Sequence, residues 1–363
     1  MSEVVRQDVA AATRCALYVH VPFCTARCAY CDFCSEPVGE HDTAAVVDRI
    51  CHEIKYRTAR SLRPLNTIFL GGGTPTLLPP NELDALLAAI SQAVGNGGVE
   101  EFSVEANPAT VDIRKATLLT RRGVGRVSMG AQSFIAGELA MLERLHEPDD
   151  IHASLDILRR CGISQVNLDL IFGIPGQTLD TWSESLRRAV DLGVEHIATY
   201  GLTYEAGTRL TDRRSKGLIT PCSEGLEADM YLRAIDFLAE HGYEQYEISN
   251  FAKPGCRCRH NLVYWLNQPY IGVGPSATGC DNQRRYKNIA NVETYVRMID
   301  EQGYAEAESE ALDTPTVITE LLMMQLRLIE GLSVDSFSQR VRIDPLKLFI
   351  RPLARLTELG LVT

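Results

Sequence analysis

The stretch YVHVPFCTARCAYCDFC, residues 18–34, opens on an apolar, β-branched run and closes on a group of cysteines. Cys24, Cys28 and Cys31 are separated by three residues and then by two, directly after a strand predicted to end near Val21. Thiols so spaced can converge from one loop onto a compact inorganic cluster, and soft thiolates suit iron–sulfur chemistry. Three ligands on a four-iron cluster leave one iron open to an external chelating group. The competing readings are a structural zinc site, with Cys34 or His20 as the fourth ligand that zinc normally takes, and a set of buried cysteines without metal.

Outward from this loop the chain alternates short β-branched runs with longer helical patterns. The patterns predict strands at about 16–21, 66–70, 99–104, 124–129, 163–170 and 194–200, and helices at about 43–59, 81–94, 112–121, 135–143, 149–160 and 180–191. That rhythm is the signature of repeated βα units on a mostly parallel sheet. Thr178 offers a cap to a helix on which Trp182, Leu186 and Val190 recur at helical spacing, and Gly162 and Gly193 each follow a helical run where a left-handed residue ends it. Six such strands allow either an incomplete barrel or an open sheet. Beyond residue 200 the rhythm breaks: 201–222 reads as a loop or short excursion, 223–240 as a helix, and 251–290 as an irregular Gly- and Pro-rich region. Helical patterns return at 291–302, 315–329 and 345–358, with a short helix or turn at 331–340. The expected division is a core with an N-terminal extension at 1–222, a connecting region at 223–290 and a smaller helical domain at 291–363.

Composition narrows the function classes. Hydrophobic residues make up 45% of the 363 and charged residues 23%, the balance of a folded soluble chain. The longest apolar candidate, 311–329, is interrupted by Asp313, Pro315, Glu320 and Arg327, too often for a membrane span. A net charge of -11 argues against generic nucleic-acid binding, which rests on a cationic surface. The first fifteen residues carry charges of both signs and no apolar core, so no secretory signal is read there. The expected location is therefore cytoplasmic, and the eleven cysteines form no disulfide framework; Cys51 and Cys161 read as small buried hydrophobes.

Polar and glycine motifs recur where the predicted strands end. LGGGTP at 70–75 permits close backbone approach but lacks the pattern of a nucleotide-triphosphate loop. Glu105 and Asn107, then Ser128, Gly130 and Gln132, then Asn167 and Asp169 share the same destination, the carboxyl ends of parallel strands. Further on, SNFAKPGCRCRHNLVYW at 249–265 combines an imidazole, basic groups and two aromatic rings. An iron porphyrin needs an axial donor and a broad apolar surface, and arginine can meet its propionates. Packing between domains accounts for the same residues.

Taken together, these motifs resemble a known family. YVHVPFCTARCAYCDF resembles the radical S-adenosylmethionine superfamily and, within it, the oxygen-independent coproporphyrinogen III oxidase-like group. HNxxYW at 260–265, with Phe33 completing CxxxCxxCxF, is similar to the haem-chaperone branch of that group. The likeness runs from Tyr18 to ELLMMQLRLIEGLSVDSF at 320–337. It implies an α/β fold, a partial (β/α)6 TIM-like barrel with a smaller, mainly helical C-terminal domain. It implies a [4Fe–4S] cluster on Cys24, Cys28 and Cys31, whose open iron is chelated by S-adenosylmethionine and whose electron yields methionine and a 5′-deoxyadenosyl radical. The carried-over cofactor residues are Tyr18, Tyr30, Gly72, Gly73, Thr74, Glu105, Gln132 and Asp169, with His260 as haem ligand and 223–290 as the haem-associated region. Tyr200 and Thr203 are further pocket candidates; Cys34, Cys256 and Cys258 receive no role, and no residue is assigned as catalytic. Implied partners are haem, a haem-accepting respiratory protein and a physiological electron donor, with peripheral contact at the inner membrane face in some members. The alternatives are oxidative decarboxylation of coproporphyrinogen III, or a related methyltransferase or cyclase.

Overall fold

The computed structural model describes residues 15–281 and 283–361; the N-terminal stretch read as lacking an export signal lies, through Arg14, outside them. Strand β1 (Cys15–Val21) buries Cys15, Ala16, Leu17, Val19 and Val21, the composition of a strand covered on both faces. β2 (Leu65–Gly72), β3 (Glu101–Ala106), β4 (Arg126–Gln132), β5 (Gln165–Phe172) and β6 (His196–Gly201) follow it side by side, all parallel. Their register sets Val19 beside Leu70, Leu70 beside Val104, Val104 beside Val127 and Val127 beside Val166, a buried apolar belt across the sheet.

Helices α1 (Thr43–Thr58), α2 (Pro80–Val94), α3 (Ile113–Arg121), α4 (Ala136–Met141), α5 (Pro148–Arg160) and α6 (Leu179–Asp191) fill the crossovers. Thr178 caps α6 through its side chain, and Trp182 and Leu186 are buried beneath it. Gly162 and Gly193 adopt φ values of +90° and +69°, the left-handed conformation that ends the preceding helices. The expected partial barrel of six βα units is thus present.

Both barrel edges are extended by segments the sequence left irregular. Beside β6 lies β8 (Asn250–Ala252), antiparallel to it, and then β7 (Glu244–Gln245), antiparallel to β8; beside β1 lies β9 (Tyr270–Val273), parallel to it. β10 (Thr278–Asp281), β11 (Arg284–Asn288) and β12 (Glu306–Ala311) continue that edge antiparallel, completing a 12-stranded sheet. Residues 251–290 are therefore mostly regular structure. The strands there are short and interrupted by Gly, so no periodicity announces them. β12, EAESEA, alternates glutamates with Ala307, Ser309 and Ala311 and buries no large apolar side chain; Arg284 and Arg285 on β11 pair with Glu306 and Glu310 across the ladder.

The excursion at 201–222 holds α7 (Arg209–Ser215), followed by α8 (Glu224–Glu240) and α9 (Arg259–Trp265). α10 (Val292–Gln302) precedes β12, so the C-terminal part is helical after 311 rather than from 291. It comprises α11 (Thr314–Gln325), α12 (Val334–Val341), α13 (Pro345–Leu348) and α14 (Ile350–Glu358).

Candidate cofactor site

The cysteine loop is fastened to the end of β2 by backbone packing that only glycine allows. Gly73 N donates to Val21 O at 2.8 Å and Thr74 N to Phe23 O at 2.7 Å. A Cβ on Gly73 would lie 2.4 Å from Phe23 O, and one on Gly72, whose φ is +107°, would lie 2.5 Å from the His20 ring. Phe23–Cys24 pairs with Glu36–Pro37 and closes the loop. Cys24 Sγ then stands 3.8 Å from Thr74 Oγ1, and Cys28 Sγ accepts a hydrogen bond from Arg144 Nη1 at 3.3 Å.

Arg144 is the site residue that the sequence did not reveal. It sits in MLERLHEP just past α4, where it resembles any helix-end charge. In the fold its Nη2 donates to Asn107 Oδ1 at 2.6 Å and to Gly130 O at 2.8 Å, and Asn107 Nδ2 donates to Thr74 Oγ1 at 2.7 Å. A guanidinium is thereby locked against the thiols, with its Nε buried and lacking a partner among the described residues.

The donor set fits an iron–sulfur cluster better than a single ion. A tetrahedral zinc with bonds of about 2.3 Å draws its sulfurs to about 3.8 Å, whereas those of Cys24, Cys28 and Cys31 do not all come within 4.8 Å of one another. A multi-iron cluster spreads its ligands over several metal atoms. Burial raises the Cys24 thiol above its ordinary range and Cys31 to about 11, so loading must displace protons. Cys34 turns away, its Sγ 3.5 Å from Ala290 O.

The remaining residues assigned to S-adenosylmethionine gather around this loop. Glu105 accepts from Gly72 N at 2.9 Å, and burial pushes its carboxyl up to about 8; the other charged neighbour acting on it, Asp169, raises it further. It is a buried acid in want of a cation. Asp169 accepts from Asn167 Nδ2 at 2.8 Å and Ser128 Oγ at 3.2 Å; burial outweighs these bonds and lifts it to about 6. Asn167 is held in turn by His196 Nδ1 at 2.6 Å. Gln132 sits at a bulge between β4 and β5 with φ +65°, and its amide lies so near Gly130 that a Cβ there would be 2.8 Å away. Tyr18 donates to His20 Nδ1 at 2.9 Å, a direction fixed because His20 Nε2 donates to Cys34 O at 2.7 Å. Tyr30 packs with Leu142, Ile171 and Ile174, and burial raises its hydroxyl.

Below this cup, α9 presents its N-terminus to Glu101, which accepts from Arg259 N at 2.9 Å and His260 N at 3.0 Å. His260 is 1% exposed, and both ring nitrogens are engaged: Thr67 Oγ1 lies 3.0 Å from Nδ1 and the Tyr264 hydroxyl 3.0 Å from Nε2. Burial holds the imidazole neutral, down to about 3. Two cavities flank Tyr264. One of about 340 Å³ is lined by Tyr200, Asn250, Asn261, Tyr264, Trp265 and Arg327; the other, about 320 Å³, by Tyr18, His20, Phe33, Cys34, Tyr264 and Tyr270 among others. His260 lines neither, so the imidazole expected to ligate haem stands here behind Tyr264 with no free nitrogen. Tyr200 reaches the first cavity; Thr203 does not, its hydroxyl lying 3.5 Å from Gly201 O. Cys258 is buried at the start of α9, with its thiol directed to Glu101.

Comparison with known proteins identifies the family and the fold. The radical SAM superfamily model matches residues 18–189, and the HemN C-terminal domain model matches 312–363. The heme chaperone HemW of Bacillus subtilis (strain 168) is 35% identical over 352 residues, covering 95% of this chain and 92% of that protein. The heme chaperone HemW of Escherichia coli (strain K12) is 34% identical over 324 residues, 87% of this chain and 83% of that one. Coproporphyrinogen III oxidase (HemN) from Escherichia coli, a radical SAM enzyme, superposes with a TM-score of 0.83 at 23% identity, covering 99% of this chain and 86% of that one; this likeness is one of fold.

Proposed function

The chain belongs to the heme chaperone HemW family of the radical SAM superfamily, and on that premise we propose that it binds haem at the mouth of its barrel and passes it to a haem-requiring respiratory protein. Superfamily membership implies a [4Fe–4S] cluster and S-adenosylmethionine. The cluster ligands are Cys24, Cys28 and Cys31. A cluster there supplies one electron, drawn from a cellular donor, for reductive cleavage of S-adenosylmethionine.

The chain's own residues hold that cofactor. Glu105 takes the ammonium, because it is a buried acid without a cation, and the Arg144 guanidinium takes the carboxylate while its bond to Cys28 Sγ favours the thiolate. Asp169, fixed by Asn167 and Ser128, accepts from the ribose hydroxyls; Tyr30 lies along the adenine; Gln132 and the glycines of 71–73 close the cradle. The working division is a core at 1–222, a haem-associated region at 223–290 and a C-terminal region at 291–363. Contact with the inner membrane face would be peripheral and the protein cytoplasmic; no helix among the described residues is long and apolar enough to cross a membrane.

The observation that carries the haem assignment is the aromatic cavity that Tyr264 and Trp265 of the HNxxYW motif build beside the cofactor cup. The test is anaerobic reconstitution of the full chain with iron, sulfide and S-adenosylmethionine, followed by haem titration and coproporphyrinogen III turnover in parallel. Stoichiometric haem binding without porphyrinogen conversion is expected. Efficient formation of protoporphyrinogen IX would overturn the assignment.

A further inference from the structure

The 340 Å³ cavity beside α9 is closed on one side by Arg327, two residues past the end of α11. The backbone there is pinned to the barrel: Leu328 forms a bridge with Glu247, and Ile329 N donates to Tyr246 O at 3.1 Å. The guanidinium lies 5.7 Å from the centre of the Trp265 ring and forms no ion pair among the described residues. The carboxylate lining the same cavity, Glu247, accepts from Ser249 N at 3.0 Å and from the Asn250 amide, and the Arg327 charge also acts on it. The indole N–H of Trp265 is buried and has no acceptor among the described residues. Leaving such a donor unmade is costly, so a group that supplies an acceptor binds with advantage. The cavity thus offers three aromatic rings, those of Tyr200, Tyr264 and Trp265, beside the unpaired Trp265 indole N–H and an exposed positive charge on Arg327.

We propose that Arg327 and the Trp265 indole form a carboxylate subsite that takes a propionate of the porphyrin, while the aromatic rings receive the macrocycle edge beside it. This rests on the haem assignment above and deepens it. The cavity is at the small end of ligand pockets, which suits one edge of a macrocycle rather than the whole. The ligand class is therefore a planar apolar macrocycle with free carboxylates, and the C-terminal region takes part in selecting it.

The test is a Soret titration of the full chain with ferric protoporphyrin IX and with its dimethyl ester, in wild type, Arg327→Met and Arg327→Lys. The wild type should bind the diacid about tenfold or more tightly than the diester, the scale of one charge-assisted hydrogen bond. Arg327→Met should remove most of that preference with little effect on the ester, and Arg327→Lys should restore part of it. Equal wild-type affinity for acid and ester, or an Arg327→Met loss shared by both, would overturn the subsite and leave haem binding standing. Failure of both porphyrins to bind near one equivalent would overturn both.

Discussion

Glu105 is where a single side chain's chemistry is most exposed to test. Its carboxyl is raised from 4.5 to about 8 by burial, so between those values the unfolded chain releases a proton that the folded, ligand-free protein keeps. Stability contributed at this position is therefore lost as pH rises through that window. Glu105→Gln, which still accepts from Gly72 N, should melt above the wild type at pH 8, the gap closing toward pH 5. In calorimetry at pH 7, S-adenosylmethionine binding should release protons in the wild type and not in the variant, read from the dependence of the enthalpy on buffer. His260 poses a sharper question. If it ligates haem iron, the Tyr264 hydroxyl must first leave Nε2. Tyr264→Phe then removes that competitor and should tighten haem binding severalfold, whereas His260→Ala should lose it; a looser Tyr264→Phe with unchanged His260→Ala would leave His260 as a positioning group for Tyr264.

At the scale of elements, the turn after β2 and the cysteine loop behave as one unit. The Cβ of Gly73→Ala would meet Phe23 backbone atoms at 2.4 and 2.8 Å, and neither partner is a flexible side-chain end. The loop has to move, and Cys24 with it. Iron content after anaerobic reconstitution should fall severalfold in Gly73→Ala, while the circular dichroism of the barrel stays close to wild type because the apolar belt lies beneath the turn. Helix α9 shows a different dependence. It is only seven residues long and its own N-cap, Cys258, contributes no side-chain bond, so its place is set by Glu101 at the start of β3. Glu101 is itself paired with the buried Arg126 at 3.3 Å.

For the whole molecule, the critical joint is the one that binds the late strands to the early barrel. Glu53 on α1 is fully buried and accepts from Gly274 N, Asn288 Nδ2 and Tyr295 OH, each at 2.9 Å, and from Arg57 Nε at 2.7 Å. One carboxylate therefore joins α1 to the exit of β9, to β11 and to α10. Glu53→Ala would leave the buried Gly274 N–H and Tyr295 hydroxyl without their acceptor while Arg57 keeps Glu306, a loss of about 1–3 kcal/mol for each orphaned donor, measurable as a lower urea midpoint. The C-terminal helices are attached by more exposed contacts, among them Arg257 with Glu330 at 2.6 Å and Arg285 with Glu320 at 2.7 Å. Such pairs add little stability apiece.

The sequence by itself determined the six βα units, the cysteine loop after β1 and the polar residues at the strand ends, because each is written in local spacing: helical and strand periodicity, capping residues and a cysteine pattern within eight positions. Tertiary structure alone decided the rest. Arg144 meets Cys28 across 116 residues, and Thr67 meets His260 across 193. Strands such as EAESEA form because cationic partners on β11 lie opposite them, not because of any large apolar side chain of their own. Whether an imidazole faces a ligand or a hydroxyl, and whether an arginine lines a cavity or a salt bridge, depends on which distant segment packs beside it. No local pattern carries that choice.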